Sequence, residues 1–197
     1  MNLAPYIDHT ILKPDCVAAD IEQLCSEAIE HQFAAVCIPP FYVKDAFQHL
    51  KTHPVKVATV AGFPLGYSTT FAKVEEIKRA IDDGADEVDV VINISAVKNG
   101  KQIKVILETG LLSDEEISRL CALCKDIGPE YVKTSTGFNG PGAKVSTVRF
   151  LQENLQGTPI KIKASGGIRT PKKAQSMIKA GAQRIGASAG VRIVTEL

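Results

Sequence analysis

Short β-branched runs alternate along this chain with longer stretches in which apolar positions recur every three or four residues. The short runs predict strands at Tyr6–Thr10, Ala34–Ile38, Val55–Ala61, Glu87–Ile94, Ile103–Glu108, Tyr131–Ser135, Ile160–Ser165 and Arg184–Ser188. The longer period predicts helices between them. In Asp20–Gln32, Ile21, Leu24, Cys25, Ala28 and Ile29 fall on one face. Further helices are predicted at Val43–Leu50, at Thr70–Asp83 closed by Gly84, at Ser146–Leu155, and at Thr170–Ala180 stopped by Gly181. Ser113 is placed to cap a helix running to Ile127, with Glu116 completing a capping box and Gly128-Pro129 as the stop.

Strands separated by helices imply a parallel sheet, because only a crossover can return the chain to the same end. Eight such units over residues 1–197 predict one α/β domain, a TIM-type (β/α)8 barrel. One connection breaks the pattern. Only "SAVKNGKQ", Ser95–Gln102, joins the fourth and fifth strands. Eight residues can span the barrel only if nearly straight, at about 3.3–3.6 Å each, and cannot also form a covering helix. The outer helix between strands 4 and 5 is therefore missing or not represented, with the join near Gly100-Lys101. Val88, Val90, Ile92, Val105 and Leu107 would then face water or a partner.

Alternation also sorts the strand residues into an outward set and a set facing the barrel axis. In "EVDVVINI" the apolar set Val88, Val90, Ile92 and Ile94 is outward, which turns Glu87, Asp89, Val91 and Asn93 inward. In "IKVILE", Ile103, Val105 and Leu107 go out and Lys104, Ile106 and Glu108 go in. In "YVKTS", Val132 is outward, with Tyr131, Lys133 and Ser135 inward. In "IKIKAS", Ile160 and Ile162 are outward and Lys163 is inward, while Lys161, near its strand's start, reads as a surface lysine. Asp8 and Thr10 of "YIDHT" can point in. Lys104, Lys133 and Lys163 thus converge with Asp8 and Asp89 on one axis.

Buried charges are costly unless paired, and coupled titratable clusters mark catalytic sites. A lysine with a pKa of about 10.4 is only about 0.04 % neutral at pH 7. A nucleophilic amine must be neutral, and both burial and a neighbouring ammonium favour that form. Reaching a pKa of about 7 takes roughly 4–5 kcal/mol. One of Lys133 and Lys163 can then be a nucleophile and the other its electrostatic partner, with a carboxylate to move protons. That set suits Schiff-base chemistry on a carbonyl.

The loops after the last two predicted strands are rich in small residues. "KASGGIRTP" places Gly166-Gly167 before a helix with Pro171 in its first turn, and "RIGASAG" places Gly186, Ser188 and Gly190 after the last strand. Loops at these positions of a barrel bind phosphate through backbone N–H groups. "STGFNGPG" adds a third loop.

Charge narrows the partners. Twenty-three basic and 22 acidic residues give a formal net charge of +1, which argues against nucleic acid or an anionic membrane held by bulk charge. No apolar run reaches the roughly 18 residues of a membrane helix, and the start lacks a secretion signal. The five cysteines read as reduced thiols of a cytoplasmic protein, Cys121-x-x-Cys124 included, within a helical pattern. No metal and no cofactor is expected, since His9, His31, His49 and His53 lack ligand spacing.

The segments "IDHTILKP", "FAAVCIPP", "VATVAGFPLG", "GADEVDVVIN", "IKVILETGLL", "VKTSTGF", "KASGGIRT" and "RIGASAGV", in that order and over almost the whole chain, resemble the deoxyribose-phosphate aldolase family. The resemblance implies a class I aldolase that reversibly cleaves 2-deoxy-D-ribose 5-phosphate to acetaldehyde and D-glyceraldehyde 3-phosphate. It implies that Lys133 is the Schiff-base lysine, Lys163 the second lysine that perturbs it, and Asp89 the carboxylate of a proton relay. Lys104 and Asp8 would support that network. Thr10 and Cys37 would line the pocket, and Gly137, Gly166, Gly167, Gly186 and Ser188 would hold the phosphate. Sugar phosphate and aldehyde would be the partners, with a homo-oligomer open. The chain departs from the family pattern at the short Ser95–Gln102 connection and in ending at "RIVTEL" without the terminal tyrosine some members use. A Schiff-base barrel for another phosphorylated sugar, and a barrel that binds without turnover, remain as rivals.

Overall fold

A computed structural model of the chain describes residues 1–91 and 102–196. Eight strands form a closed, all-parallel barrel in sequence order. They are β1 (Ile7–Thr10), β2 (Ala35–Ile38), β3 (Lys56–Ala61), β4 (Glu87–Val91), β5 (Gln102–Ile106), β6 (Tyr131–Lys133), β7 (Lys161–Ser165) and β8 (Arg184–Ala187). The helices are α1 (Ala18–Glu30), α2 (Val43–Leu50), α3 (Thr70–Asp82), α4 (Asp114–Ile127), α5 (Val145–Asn154), α6 (Pro171–Lys179) and α7 (Gly190–Thr195). Among the described residues no helix is long and apolar enough to cross a membrane.

Local chemistry sets the ends of these elements. Ser113 Oγ accepts the Glu116 N–H at 3.3 Å, and the Glu116 carboxylate accepts the Ser113 N–H at 2.8 Å, so α4 begins with a reciprocal cap. It ends at Gly128, whose φ of 70° needs no Cβ and returns an N–H to the Cys124 carbonyl. Thr69 and Thr170 cap α3 and α6 in one direction only, their hydroxyl oxygens accepting the Ala72 and Lys173 N–H groups. α7 was not anticipated. Its start, Gly190, lies in a glycine- and serine-rich stretch that reads as a loop, and six residues are too few to show a period.

Two layers of core follow from strand alternation. The outer layer packs Val36, Val57, Val132, Ile162 and Ile185 beneath the helices. Each such side chain contributes about 1.5–3 kcal/mol. The expectation that Val88, Val90, Val105 and Leu107 would face water or a partner is corrected. All four are between 1 and 8 % exposed and belong to the apolar layer that also contains Ile77 and Ala80 of α3 and Ile117 of α4. Residues 92–101, which hold most of the Ser95–Gln102 connection, the Gly100-Lys101 join and the outward Ile92 and Ile94, lie outside the described residues.

The inner layer is divided. On the β2–β3 side it is small and apolar, built from Ala35, Cys37, Ala58 and Val60. Across the axis it is ionic. Register explains the ionic half, since paired residues of neighbouring parallel strands point to the same face about 4.8 Å apart. Asp89 pairs with Lys104, Lys133 with Lys163, and Lys163 with Arg184.

Candidate active site

The axis charges form one continuous set. Lys133 Nζ donates to Asp89 Oδ2 at 2.6 Å, and Lys163 Nζ donates to the same oxygen at 2.8 Å. The two nitrogens therefore cannot lie further apart than the sum of those lengths. Lys163 also pairs with Asp8 Oδ2 at 2.6 Å. Lys104 lies 3.4 Å from Asp89 Oδ1 and donates to Glu87. Arg184 bonds Asp8 and reaches Glu87 at 3.4 Å. Glu87 meets Lys56, at the half-exposed end of the set, at 3.0 Å. Asp8, Glu87, Asp89, Lys104, Lys133, Lys163 and Arg184 are all buried.

For Asp8, Glu87, Asp89, Lys104, Lys163 and Arg184, burial alone would favour the neutral form, and opposite charge outweighs it. Burial would raise Asp8, yet Lys163, Lys104 and Arg184 bring its carboxyl down from 3.8 to about 2. Asp89 is likewise held well below the carboxylate range by Lys133, Lys163 and Lys104. Burial would lower Lys163, but Asp8 and Asp89 keep its ammonium well above the ordinary range. Lys104 and Arg184 are raised in the same way, and Glu87 is lowered.

A cavity of about 540 Å³ opens above this set. Lys133 and Lys163 stand at its floor, and its wall contains Thr10, Gly137, Gly166, Gly167, Gly186 and Ser188. Among the described residues, the N–H groups of Gly137, Gly166, Gly167 and Ser188 have no acceptor within the chain. Such a rim is suited to an anion. Gly186 is a glycine for a steric reason, since a Cβ there would lie 2.8 Å from Ser165 Cβ and 3.1 Å from Lys163 Cε.

Cys37 departs from the expectation. Its side chain packs with Ala35, Ala58 and Val60 in the inner apolar layer and is not part of the cavity wall. Lys161 is the surface lysine its position implied, paired with Glu130 at 3.0 Å. Glu108 lies past the end of β5, and its φ of 56° takes it out of the alternation that would have aimed it down the axis. Cys121 and Cys124 are free, buried thiols on α4. Among the described residues, no three His, Cys, Asp or Glu side chains are grouped to hold a metal ion.

A family model for DeoC/LacD aldolases matches residues 3–113. The chain belongs to the DeoC/LacD aldolase family. It is accordingly a lyase that works on carbon–carbon bonds. A relative from Caldicellulosiruptor saccharolyticus, named deoxyribose-phosphate aldolase, is 47% identical over 216 residues, covering 99% of this chain and 98% of its own. One of the same name from Clostridium botulinum (strain Langeland) is 46% identical and covers 98% of this chain and 100% of its own. The structure of a tetrameric deoxyribose phosphate aldolase from Aeropyrum pernix superposes with a TM-score of 0.92 at 32% identity, over 98% of this chain and 89% of that one. The first alignment spans 216 positions against the 197 residues here, so that DeoC/LacD aldolase carries residues this one lacks. Lys133 and Lys163 lie beyond the segment that the family model matches but within the near-full-length alignments.

Two members of this DeoC/LacD site escaped the reading of the sequence. Arg184 is a buried cation of the axis, and alternation held the signal: Gly186 inward requires Arg184 inward. Glu87 was turned inward but given no role, although it links Lys104, Arg184 and Lys56.

Proposed function

We propose that this aldolase reversibly cleaves 2-deoxy-D-ribose 5-phosphate to acetaldehyde and D-glyceraldehyde 3-phosphate through a Schiff base on Lys133. The observation that carries the reading is the pair of lysines on one oxygen of Asp89 at the floor of the cavity. An attacking amine must be neutral. The buried set holds four cations, Lys104, Lys133, Lys163 and Arg184, against three carboxylates, Asp8, Glu87 and Asp89. Loss of one proton therefore balances the axis. Lys133 meets one carboxylate and shares it, whereas Lys163 meets two.

Lys133 attacks C1 of the open-chain sugar, giving a carbinolamine that loses water to an iminium. Asp89, held by Lys163 and Lys104, relays the protons of these steps. The C3 hydroxyl then gives up its proton, the C2–C3 bond breaks, and its electrons flow into the iminium to leave an enamine. Glyceraldehyde 3-phosphate departs. The enamine is protonated at C2, and water hydrolyses the resulting imine to acetaldehyde and the free amine.

Lys163 supplies the charge that keeps Asp89 ionised, Asp8 and Lys104 support that network, and Thr10 lines the pocket. Gly137, Gly166, Gly167, Gly186 and Ser188 hold the phosphate at the open end. The whole chain acts as one domain, inside the cell, on small molecules alone, and assembles with copies of itself, as the Aeropyrum relative's tetramer supports.

Borohydride trapping tests the reading. Acetaldehyde plus borohydride should leave one ethyl group on Lys133, located by peptide mass mapping, and Lys133→Ala should take up none. An active wild type that is never trapped, or is trapped at another lysine, would refute the assignment. A wild type that binds the sugar phosphate without consuming it would instead favour a barrel that binds only.

A further inference from the structure

Glu108 has a backbone that its side chain does not favour. It is one of two non-glycine residues with positive φ among those described, at φ 56° and ψ 50°. It stands between two ladder bonds to the strand that carries the reactive lysine. Leu107 N–H donates to the Lys133 carbonyl and Thr109 N–H to the Thr134 carbonyl, both at 2.9 Å. The left-handed turn between them swings the buried carboxylate out of the axis and across to the loop after β6. A strained residue held by its surroundings points to a function for the group it aims.

The group it aims is an acceptor. The Glu108 carboxylate accepts the Thr136 N–H at 3.2 and 3.3 Å and the Thr136 hydroxyl. Thr136 Oγ1 in turn accepts the Phe138 N–H at 3.2 Å. Asn139 Nδ2 donates to Glu108 at 3.4 Å and to the Pro64 carbonyl at 3.2 Å, which ties in the loop after β3. Of the N–H groups on either side of Gly137, that of Thr136 is held by Glu108 and that of Phe138 by the Thr136 hydroxyl, which itself donates to Glu108. The Gly137 N–H, between them in the cavity wall, has no acceptor among the described residues.

We infer that Glu108 is a positioning residue that fixes the Thr136–Gly137 turn so that the Gly137 N–H faces the phosphate end of the cavity. The inference rests on the reading of the substrate given above. Glu108 touches neither Lys133 nor the carbonyl carbon in that arrangement. Its loss is therefore expected in recognition of the phosphate rather than in the chemistry.

The test compares 2-deoxyribose 5-phosphate with unphosphorylated 2-deoxyribose. For Glu108→Ala, KM for the phosphorylated sugar should rise about tenfold or more while kcat stays within about threefold. The value of kcat/KM for the unphosphorylated sugar should stay within about threefold. The inhibition constant of inorganic phosphate should rise by the same factor as KM. Glu108→Gln, which keeps one acceptor oxygen, should recover most of the loss. Thr136→Val, which removes the hydroxyl that donates to Glu108 and accepts the Phe138 N–H, should reproduce part of it and serves if Glu108→Ala fails to fold. An equal change for both sugars, or none for either, overturns the role of Glu108 while leaving the Schiff-base reading intact. A wild type that does not cleave the phosphorylated sugar removes that reading, and this role with it.

Discussion

Lys133 and Lys163 point the ends of their side chains at one and the same oxygen, Asp89 Oδ2, from adjacent strands in register. A carboxylate so placed can pass a proton to or from either nitrogen without moving. Asp89→Asn keeps the shape and removes that capacity. Steady-state turnover should fall by about 10²–10⁴-fold, with the circular dichroism spectrum unchanged. A loss of less than about threefold would mean that Asp89 is structural only.

Lys163 should act on the reaction through the oxygen it shares with Lys133. Lys163→Met removes the cation that binds both Asp8 and Asp89 Oδ2. Turnover should fall by about 10²-fold or more with the circular dichroism spectrum unchanged. A loss of less than about threefold would contradict the pairing.

Arg184 holds two buried carboxylates, Asp8 and Glu87. Arg184→Ala leaves both with one cation fewer in a place water does not reach. Breaking a buried pair on one side costs about 3–5 kcal/mol. Urea unfolding should show that loss as a lower midpoint with little change in slope, and a cost below about 1 kcal/mol would argue that the two carboxylates are satisfied without it.

The acid limit of the fold follows from the same set. The folded Asp8 carboxyl sits at about 2, below its ordinary 3.8, because Lys163, Lys104 and Arg184 outweigh burial. A carboxylate depressed in the folded state contributes stability that is complete above its unfolded value and fades as pH falls through the folded one. Asp89 adds to this in the same direction. Urea midpoints should hold above about pH 5 and drop between about pH 4 and pH 2. In Asp8→Asn the drop should be shallower, and an equal slope would exclude Asp8 from the effect.

Burial also keeps the thiols inert. The Cys25 and Cys121 thiols are pushed up to about 11 and Cys124 to about 12. Since the thiolate is the reactive form, a disulfide reagent at pH 8 should leave these three unmodified in the native protein and modify all five cysteines in denaturant. Fast native reaction at Cys121 or Cys124 would show that α4 opens.

The eight strands and every helix but α7 were legible in the chain because each carries its own period, and the caps at Ser113 and Gly128 are local chemistry. The inward lysines were legible because alternation leaves a charged residue nowhere else to go. Other features were not. Cys37 carries no mark that separates a cavity wall from an apolar layer, and only the small neighbours Ala35 and Ala58 decide it. The cover over Val88 and Leu107 depends on how neighbouring units share the outer surface, which a count of residues between two strands does not measure. Glu108 left the alternation because of one backbone angle, and nothing in "ILETG" announces it.

By itself, then, the sequence determined which side chains of the strands proper enter the barrel, since alternation is a property of each strand alone and fails only past a strand's end, as at Glu108. Tertiary structure decided which of them meet. Register and closure bring Asp89 between Lys133 and Lys163 and set Arg184 beneath Asp8, across 74 and 176 residues of chain. Those distances depend on the pairing of all eight strands together, and no single segment contains them.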